Sequence, residues 1–537
     1  MSFLRLLAVL LSALASVSIA ATALSADIQA LVTNLTAGGL SDREAAVTAL
    51  AASGDARAAP VLEALGAGQL YVRSADKVIV IGKGSGANIA LVEAVSGKDA
   101  GTAPESALER VRVNNRLRGV IEGAVGSLTL MSPDIRVRRG AAESLLKRPD
   151  PAALGPLDAA IAAEKDTRVK QAFQEARAAV VLASDATSQQ KIDAIAVLRD
   201  RGDREALGVL QGAVNRATDP AVKAASEAGA ESVRQTLAAW GAAQNVWYGI
   251  SLGSVLLLAA IGLAITFGTM GVINMAHGEM VMLGAYTTFV VQEIIRTSAP
   301  HLFDVSLLIA LPLAFVVAGG IGILIERGII RFLYGRPLDT LLATWGLSLV
   351  LQQAVRSIFG SSNREVGAPS WMSGTFQVGQ LNITYGRLWI VIFSLVVFVA
   401  LIMLLRKTPM GLYMRAVTQN RPMASAMGIR TPRVDALTFG LGSGIAGLAG
   451  VALSQIDNVS PNLGQGYIID SFMVVVFGGV GNLFGTLVGA LTLGVVNKFL
   501  EPYAGAVLGK ILVLVFIILF IQRRPRGLFA LKGRSVE

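Results

Sequence analysis

Asn274, His277 and Glu279 fall within six residues of one another in "GVINMAHGEMVMLGAY" (271–286), a stretch that is otherwise apolar. Its flanks are fit to sit in lipid, where polar side chains are costly unless protein or a water-lined path surrounds them. Three kinds of chemistry could use such a group: a metal or catalytic site, the lining of a pathway, or a helix junction buried in protein. His277-Gly278-Glu279 imitates the His-x-Glu of zinc deaminases, but that site also takes cysteine ligands. The chain has no cysteine, and its only other histidine is His301. No metal, no cofactor and no catalytic residue is therefore expected, and disulfide or thiolate chemistry is excluded. Gly268, Gly271 and Gly278 interrupt the helical pattern around the polar group. Broken helices at membrane depth are tolerated only where protein or a polar path covers them. The stretch 268–279 thus reads as a junction between two spans, and whether its side chains meet solute or only cap backbone stays open.

The elements that must position this group divide the chain in two. Of 537 residues, 53% are hydrophobic, and the mean hydropathy of +0.59 exceeds that of ordinary soluble enzymes. Charged residues recur every few positions from about 27 to 240, whereas long uncharged runs fill the sequence from 246. The first 26 residues carry one arginine, an apolar run and the small residues "ATA" (21–23), the pattern of a signal peptide. Residues 27–240 then read as an exported domain, 246–522 as a membrane domain and 523–537 as a cytoplasmic tail.

Three segments of the exported part resemble one another: "GDARAAPVLEAL" (54–65), "PDPAALGPLDAAI" (149–161) and "GDREALGVLQGAV" (202–214). Asp55, Asp150 and Asp203 recur at the turn, and Leu62, Leu157 and Leu210 at a fixed offset after it. Helix pairs joined in this way build HEAT-like solenoids, so a mostly α, HEAT-like helical-repeat domain is expected. "LYVRSADKVIVIG" (70–82) interrupts it as a small β hairpin. The following "GKGSGA" (82–87) matches a dinucleotide fingerprint, but no second strand follows to complete a βαβ unit, so nucleotide binding is not expected there.

The membrane part is expected to be a polytopic α-helical bundle of about nine spans, near 250–268, 278–295, 305–325, 338–357, 388–405, 434–454, 468–481, 484–500 and 506–522. The pair at 468–500 is short and glycine-rich, as in broken or re-entrant helices. With the N-domain outside, the segments assigned to the cytoplasm hold fourteen cations, among them Arg327, Arg331, Arg415, Arg421, Arg523 and Arg524. The opposite loops hold about six, so the charge obeys the positive-inside rule. That placement accounts for much of the net charge of +10 without nucleic acid. "GLGSGIAGLAG" (440–450) reads as close helix packing through small residues.

The same blocks carry a family signature. "GLAITFGTMGVINMAHGEMVMLGAY" (262–286), "MRAVTQNRPMASAMGI" (414–429), "VVVFGGVGNLFGTLVGALTLG" (474–494) and "RRPRGLF" (523–529) resemble permeases in the branched-chain amino acid group of ABC importers. Within it, the exported extension and "LLATWGLSLVLQQAVRSIFGSSNREVGAPSWMSG" (341–374) resemble the urea branch. The resemblance implies the permease subunit of an importer for urea or short amides in a bacterial inner membrane. A branched-chain amino acid permease of the same family is the runner-up.

The implied partners are a second homologous permease, two cytoplasmic ATPases and a periplasmic solute-binding protein. No Walker A motif occurs in the chain, so ATP coupling must come from elsewhere. In the loop 406–433, the resemblance makes Arg415, Asn420, Ala424, Met427 and Gly428 the ATPase-coupling candidates, with the alanines packing into a partner's groove. Urea would need fixed hydrogen-bond partners in a narrow bore, for which Asn274, Thr344, Gln352 and Gln353 suit. Trp345 could supply a flat wall, and His277 and Glu279 complete the pathway candidates. For each of these, the alternative is an interhelical hydrogen bond.

Overall fold

The computed structural model describes residues 28–529 apart from 37, 54, 56 and 84–87. The signal-peptide segment, part of the rejected fingerprint and the last eight residues lie outside these. The chain divides into two compact units after Ala238.

The first unit opens with helices α1 (28–34), α2 (Leu40–Ala52) and α3 (Ala58–Gly66). Five strands follow: β1 (Leu70–Arg73), β2 (Ile79–Lys83), β3 (Asn88–Glu93), β4 (Asp99–Pro104) and β5 (Leu108–Arg110). They form one antiparallel sheet in the order β4-β3-β2-β1-β5. Six helices complete the unit: α4 (Asn115–Leu130), α5 (Ile135–Lys147), α6 (Leu154–Ala163), α7 (Thr167–Ala183), α8 (Ser188–Arg201) and α9 (Arg204–Arg216).

This overturns the HEAT-like repeat domain. A sheet, not a hairpin, stands between the first repeat-like segment and the other two, and its two faces carry different cores. Leu70 on β1, with Val72 and Ile79, packs toward α1–α4, while Tyr71, Val80 and Leu91 form a separate cluster on the opposite face. The resembling segments do share local chemistry. Asp55, Asp150 and Asp203 accept from the backbone N–H of Arg57, Ala152 and Ala206 at 2.9, 3.0 and 2.8 Å, satisfying orphan donors at helix starts. Leu62, Leu157 and Leu210 are each fully buried. They are buried in three different clusters, however, rather than in the single continuous core that stacked repeats would make.

The second unit contains most of α10 (Pro220–Met270), then α11 (His277–Ser298), α12 (Ser306–Gly328) and α13 (Pro337–Phe359). A hairpin of β6 (Thr375–Val378) and β7 (Leu381–Thr384) leads to α14 (Tyr385–Lys407), α15 (Pro409–Gln419) and α16 (Arg421–Ala426). Helices α17 (Thr431–Leu453), α18 (Leu463–Gly478) and α19 (Leu483–Arg523) complete it.

Among the described residues, five helical segments are long and apolar enough to cross a membrane: α10, Pro300–Phe332 around α12, α14, α17 and α19. The expected count of about nine is thus corrected to five. Two expected spans, 484–500 and 506–522, lie in one 41-residue element, α19, kinked at Gly505 with φ 75° just after Pro502. The 468–481 segment belongs to α18, only 16 residues long. Helices α11 and α13 carry the polar side chains that lower their hydropathy.

The apolar windows of α10 and α17 are 83% buried, which makes these two helices the centre of the bundle. Helix α17 is packed through its small residues. A methyl at Gly450 would overlap the Val281 carbonyl of α11, and one at Gly284 would overlap the Gly447 carbonyl. At the other end of the sequence, Leu528 and Phe529 donate their N–H groups to Phe477 and Gly478 O at 2.9 and 3.2 Å. Asn482 Nδ2 donates to Phe529 O at 3.3 Å. The two C-terminal sequence blocks, 474–494 and 523–529, thus meet at the α18–α19 elbow.

Candidate functional site

Helix α10 ends at Met270, and Gly271 follows it at a φ of +67°, open to glycine at little cost. The chain then crosses buried space to the start of α11 without helical hydrogen bonds. Asn274 Oδ1 accepts from Ala276 N at 3.0 Å, and Thr344 Oγ1 on α13 accepts from Met275 N at 3.1 Å. His277 is held by a 2.9 Å hydrogen bond between Nε2 and Ala259 O on α10. The polar side chains thus pair backbone that the break would otherwise strand.

Glu279, in the first turn of α11, is 1% exposed. Its Oε1 accepts from Ser348 Oγ at 2.9 Å and Gln352 Nε2 at 2.8 Å, both on α13. Glu279 Oε2, Asn274 Nδ2 and His277 Nδ1 have no hydrogen-bond partner among the described residues. The site therefore combines a half-satisfied carboxylate, a free amide donor and a free imidazole nitrogen, all shielded. Such a group can bind a polar solute atom by hydrogen bonds, but it does not form a metal cage. Among the described residues, no three His, Cys, Asp or Glu side chains are grouped to hold an ion.

Of the expected pathway residues, the structure brings together Asn274, His277, Glu279, Thr344 and Gln352. Trp345 is 53% exposed and Gln353 is exposed, both on the outer side of α13, away from the group. Ser348 was missed by sequence reasoning. The available signal was spacing: Thr340, Thr344, Ser348 and Gln352 recur every four residues, one stripe of a helix, and all four are buried.

The loop between α14 and α17 is built from two short helices. Asn420 caps α16, accepting from Met423 N at 3.0 Å, and Gly428, at φ +86°, follows its C-terminus. Ala424 is 5% exposed and packs into the bundle core with Met414 and Val417. It therefore does not present an alanine face to a partner. Arg415 is exposed, as are Met423 (61%) and Met427 (77%). Arg421 anchors α16 to the bundle: it pairs with Asp435 on α17 and lies 4.6 Å from the Tyr334 ring centroid. Tyr334 in turn donates to Glu326 Oε1 at 2.8 Å.

Residues 245–521 match the family model described as branched-chain amino acid transport system, permease component. The chain belongs to this permease family. One relative is the high-affinity branched-chain amino acid transport system permease protein LivH of Salmonella typhimurium. It is 33% identical over 53% of this chain and 94% of its own length. The corresponding protein BraD of Pseudomonas aeruginosa is 29% identical over the same shares. The ribose import permease RbsC of Escherichia coli is 26% identical over 46% of this chain and 75% of its own length. No solved structure gives a significant match.

Membership makes the chain a multi-pass membrane permease, a transport component rather than an enzyme. It also corrects the urea reading, because the family model and the permeases that match over nearly their whole length are named for branched-chain amino acids. The structure supplies a reason why 341–374 misled. Its conspicuous hydroxyl and amide residues, Thr344, Ser348 and Gln352, are taken up by the junction backbone and Glu279, while Trp345 and Gln353 point outward.

Proposed function

We propose that this chain is the permease component of a branched-chain amino acid importer, passing the solute through a bundle built around α10, α11 and α17. The observation that carries the reading is the match to LivH over 94% of that protein's length. A second homologous permease, two ATPases and a solute-binding protein complete the machine. The N-terminal unit lies outside the inner membrane behind a removed signal peptide, and the tail lies in the cytoplasm, as the cation bias supports.

In this reading, the junction is the polar station of the path. Glu279 Oε2 is an acceptor suited to the solute's ammonium group, and Asn274 Nδ2 is a donor suited to its carboxylate. Tyr286, Val355 and Phe359 form an apolar wall on the same pair of helices, suited to a branched side chain. Helices α15 and α16 dock the ATPase through Arg415, Met423 and Met427, while Asn420, Ala424 and Gly428 hold the loop's shape.

Uptake of radiolabelled leucine in cells with and without this chain tests the function. Uptake should depend on the chain and be competed by isoleucine and valine, but not by ribose. Leucine uptake that is unchanged on deleting the chain would overturn it.

A further inference from the structure

Two cavities meet at the outer flank of the α14 N-terminus. The first is a groove of about 410 Å³ between α12, α14 and α17, lined almost wholly by carbon from Leu311, Trp371, Trp389, Phe393, Val396 and Val451. The second, of about 370 Å³, has a mixed lining in which Thr375, Thr384, Arg387 and Gln455 supply the polar side chains. Met372 and Gln455 line both, so the cavities adjoin. Each falls in the roughly 300–1,000 Å³ range of small-ligand sites.

The polar end carries unmet hydrogen-bonding capacity. Thr384 Oγ1 and Gln455 Oε1 are shielded yet have no partner among the described residues. The Arg387 guanidinium lies 4.7 Å from the Tyr248 ring centroid, and among the described ion pairs none involves it. The apolar end is bordered by the exposed side chains Leu308 (61%) and Val396 (59%), which stand on two of the helical segments long and apolar enough to cross a membrane. Trp371 and Trp389 meet edge to face at 5.5 Å beside it, the residue type that anchors proteins at the membrane–water boundary.

We propose that this double cavity is a phospholipid site. One acyl chain lies in the groove, the phosphate meets Arg387 and Thr384, and a headgroup donor reaches Gln455 Oε1. The charge and the orphaned acceptor select the ligand: a phosphate with an adjacent N–H or O–H, as in phosphatidylethanolamine and phosphatidylglycerol. Phosphatidylcholine has the phosphate but no donor. A free amino acid would leave most of the apolar groove unfilled.

The full-length protein, reconstituted in phosphatidylcholine nanodiscs, is titrated with phosphatidylglycerol or phosphatidylethanolamine brominated on the acyl chain, and tryptophan quenching is read. Quenching should half-saturate at a mole fraction about tenfold lower than with brominated phosphatidylcholine, the effect of one additional hydrogen bond. Gln455→Leu, which removes the acceptor that phosphatidylcholine cannot use, should abolish that preference, and Arg387→Gln should weaken all three lipids alike. Val396→Trp, which fills the groove, should reduce phospholipid retained on native mass spectrometry even where the other two variants fold poorly. Equal quenching by all three lipids would overturn the proposal, as would undiminished retention in Val396→Trp. Displacement of the brominated lipid by millimolar leucine would also overturn it and assign the cavity to solute.

Discussion

Gln352 Nε2 donates to Glu279 Oε1 across 2.8 Å, joining the middle of α13 to the first turn of α11. Ser348 donates to the same oxygen, so two donors on successive turns of one helix hold a carboxylate on another. Gln352→Leu removes one donor from a buried anion-capable group. The expected loss of stability is about 1–3 kcal/mol, read as a lower melting temperature of the purified protein. In a double-mutant cycle, Ser348→Ala should add less in the Gln352→Leu background than in the wild type, or more, but not the same amount, because both donors share one acceptor. Strict additivity would show that the two contacts are energetically independent.

Glycine contacts between α11 and α17 give a second expectation. Gly450→Ala places a methyl against the Val281 carbonyl, in a crossing where backbone meets backbone. Overpacking of this kind typically costs about 1–3 kcal/mol, so folded yield and melting temperature should fall. Gly320→Ala, where a methyl meets nothing within 4 Å, is the control and should be neutral or slightly stabilising.

The coupling loop yields a third. Since Ala424 is buried in the bundle, Ala424→Trp should damage the fold itself and says little about docking. Met423→Glu together with Met427→Glu alters only exposed side chains. Membrane abundance should stay normal while ATPase co-purification falls about fivefold or more, as expected when an exposed anchor worth over 1 kcal/mol is lost. Unchanged co-purification would move the docking surface elsewhere.

A fourth concerns pH. Arg138 Nε and Nη2 donate to Glu164 at 2.6 and 3.1 Å, and this pairing holds the Glu164 carboxyl below its ordinary range. Backbone N–H groups of Lys165 and Asp166 act in the same direction. A lowered folded-state value means the unfolded chain takes up the proton first. The stabilisation is therefore present above the ordinary glutamate range and is lost as pH falls through the folded value. Hydrogen exchange of α5 and α7 amides in the full chain should quicken between about pH 5 and 3, relative to intrinsic rates. In Arg138→Gln, that acid-dependent increment should shrink.

Parts of this structure were legible in the sequence because they rest on local chemistry. The capping aspartates and the small-residue face of α17 follow from turn geometry and spacing alone. The sheet was only half visible: "LYVRSADKVIVIG" has strong strand formers, but β4 is "DAGTAP", whose residues favour strands weakly and are held by pairing with β3. Span counting failed because hydropathy does not show where a helix breaks. Pro312 sits inside an unbroken α12, whereas the two helical stretches of α19 meet at a kink at Gly505. At the junction, Asn274, His277 and Glu279 stood out by type, whereas Ser348 was marked only by its place in the four-residue stripe with Thr344 and Gln352. The solute was misread because polar residues on α13 suit a small amide in isolation and are already engaged in the folded bundle.

The clamp at the α18–α19 elbow sets a schedule for synthesis. Phe477 and Gly478 reach the membrane some fifty residues before the segment that supplies their N–H partners, Leu528 and Phe529. Until that segment leaves the ribosome, the end of α18 keeps unpaired carbonyls, and Phe484 lacks the Phe529 ring that meets it edge to face at 5.4 Å. The elbow can therefore close only after translation has passed residue 529. A chain cut short before Leu528 would therefore carry an open corner at the end of α18, however well its earlier helices had packed.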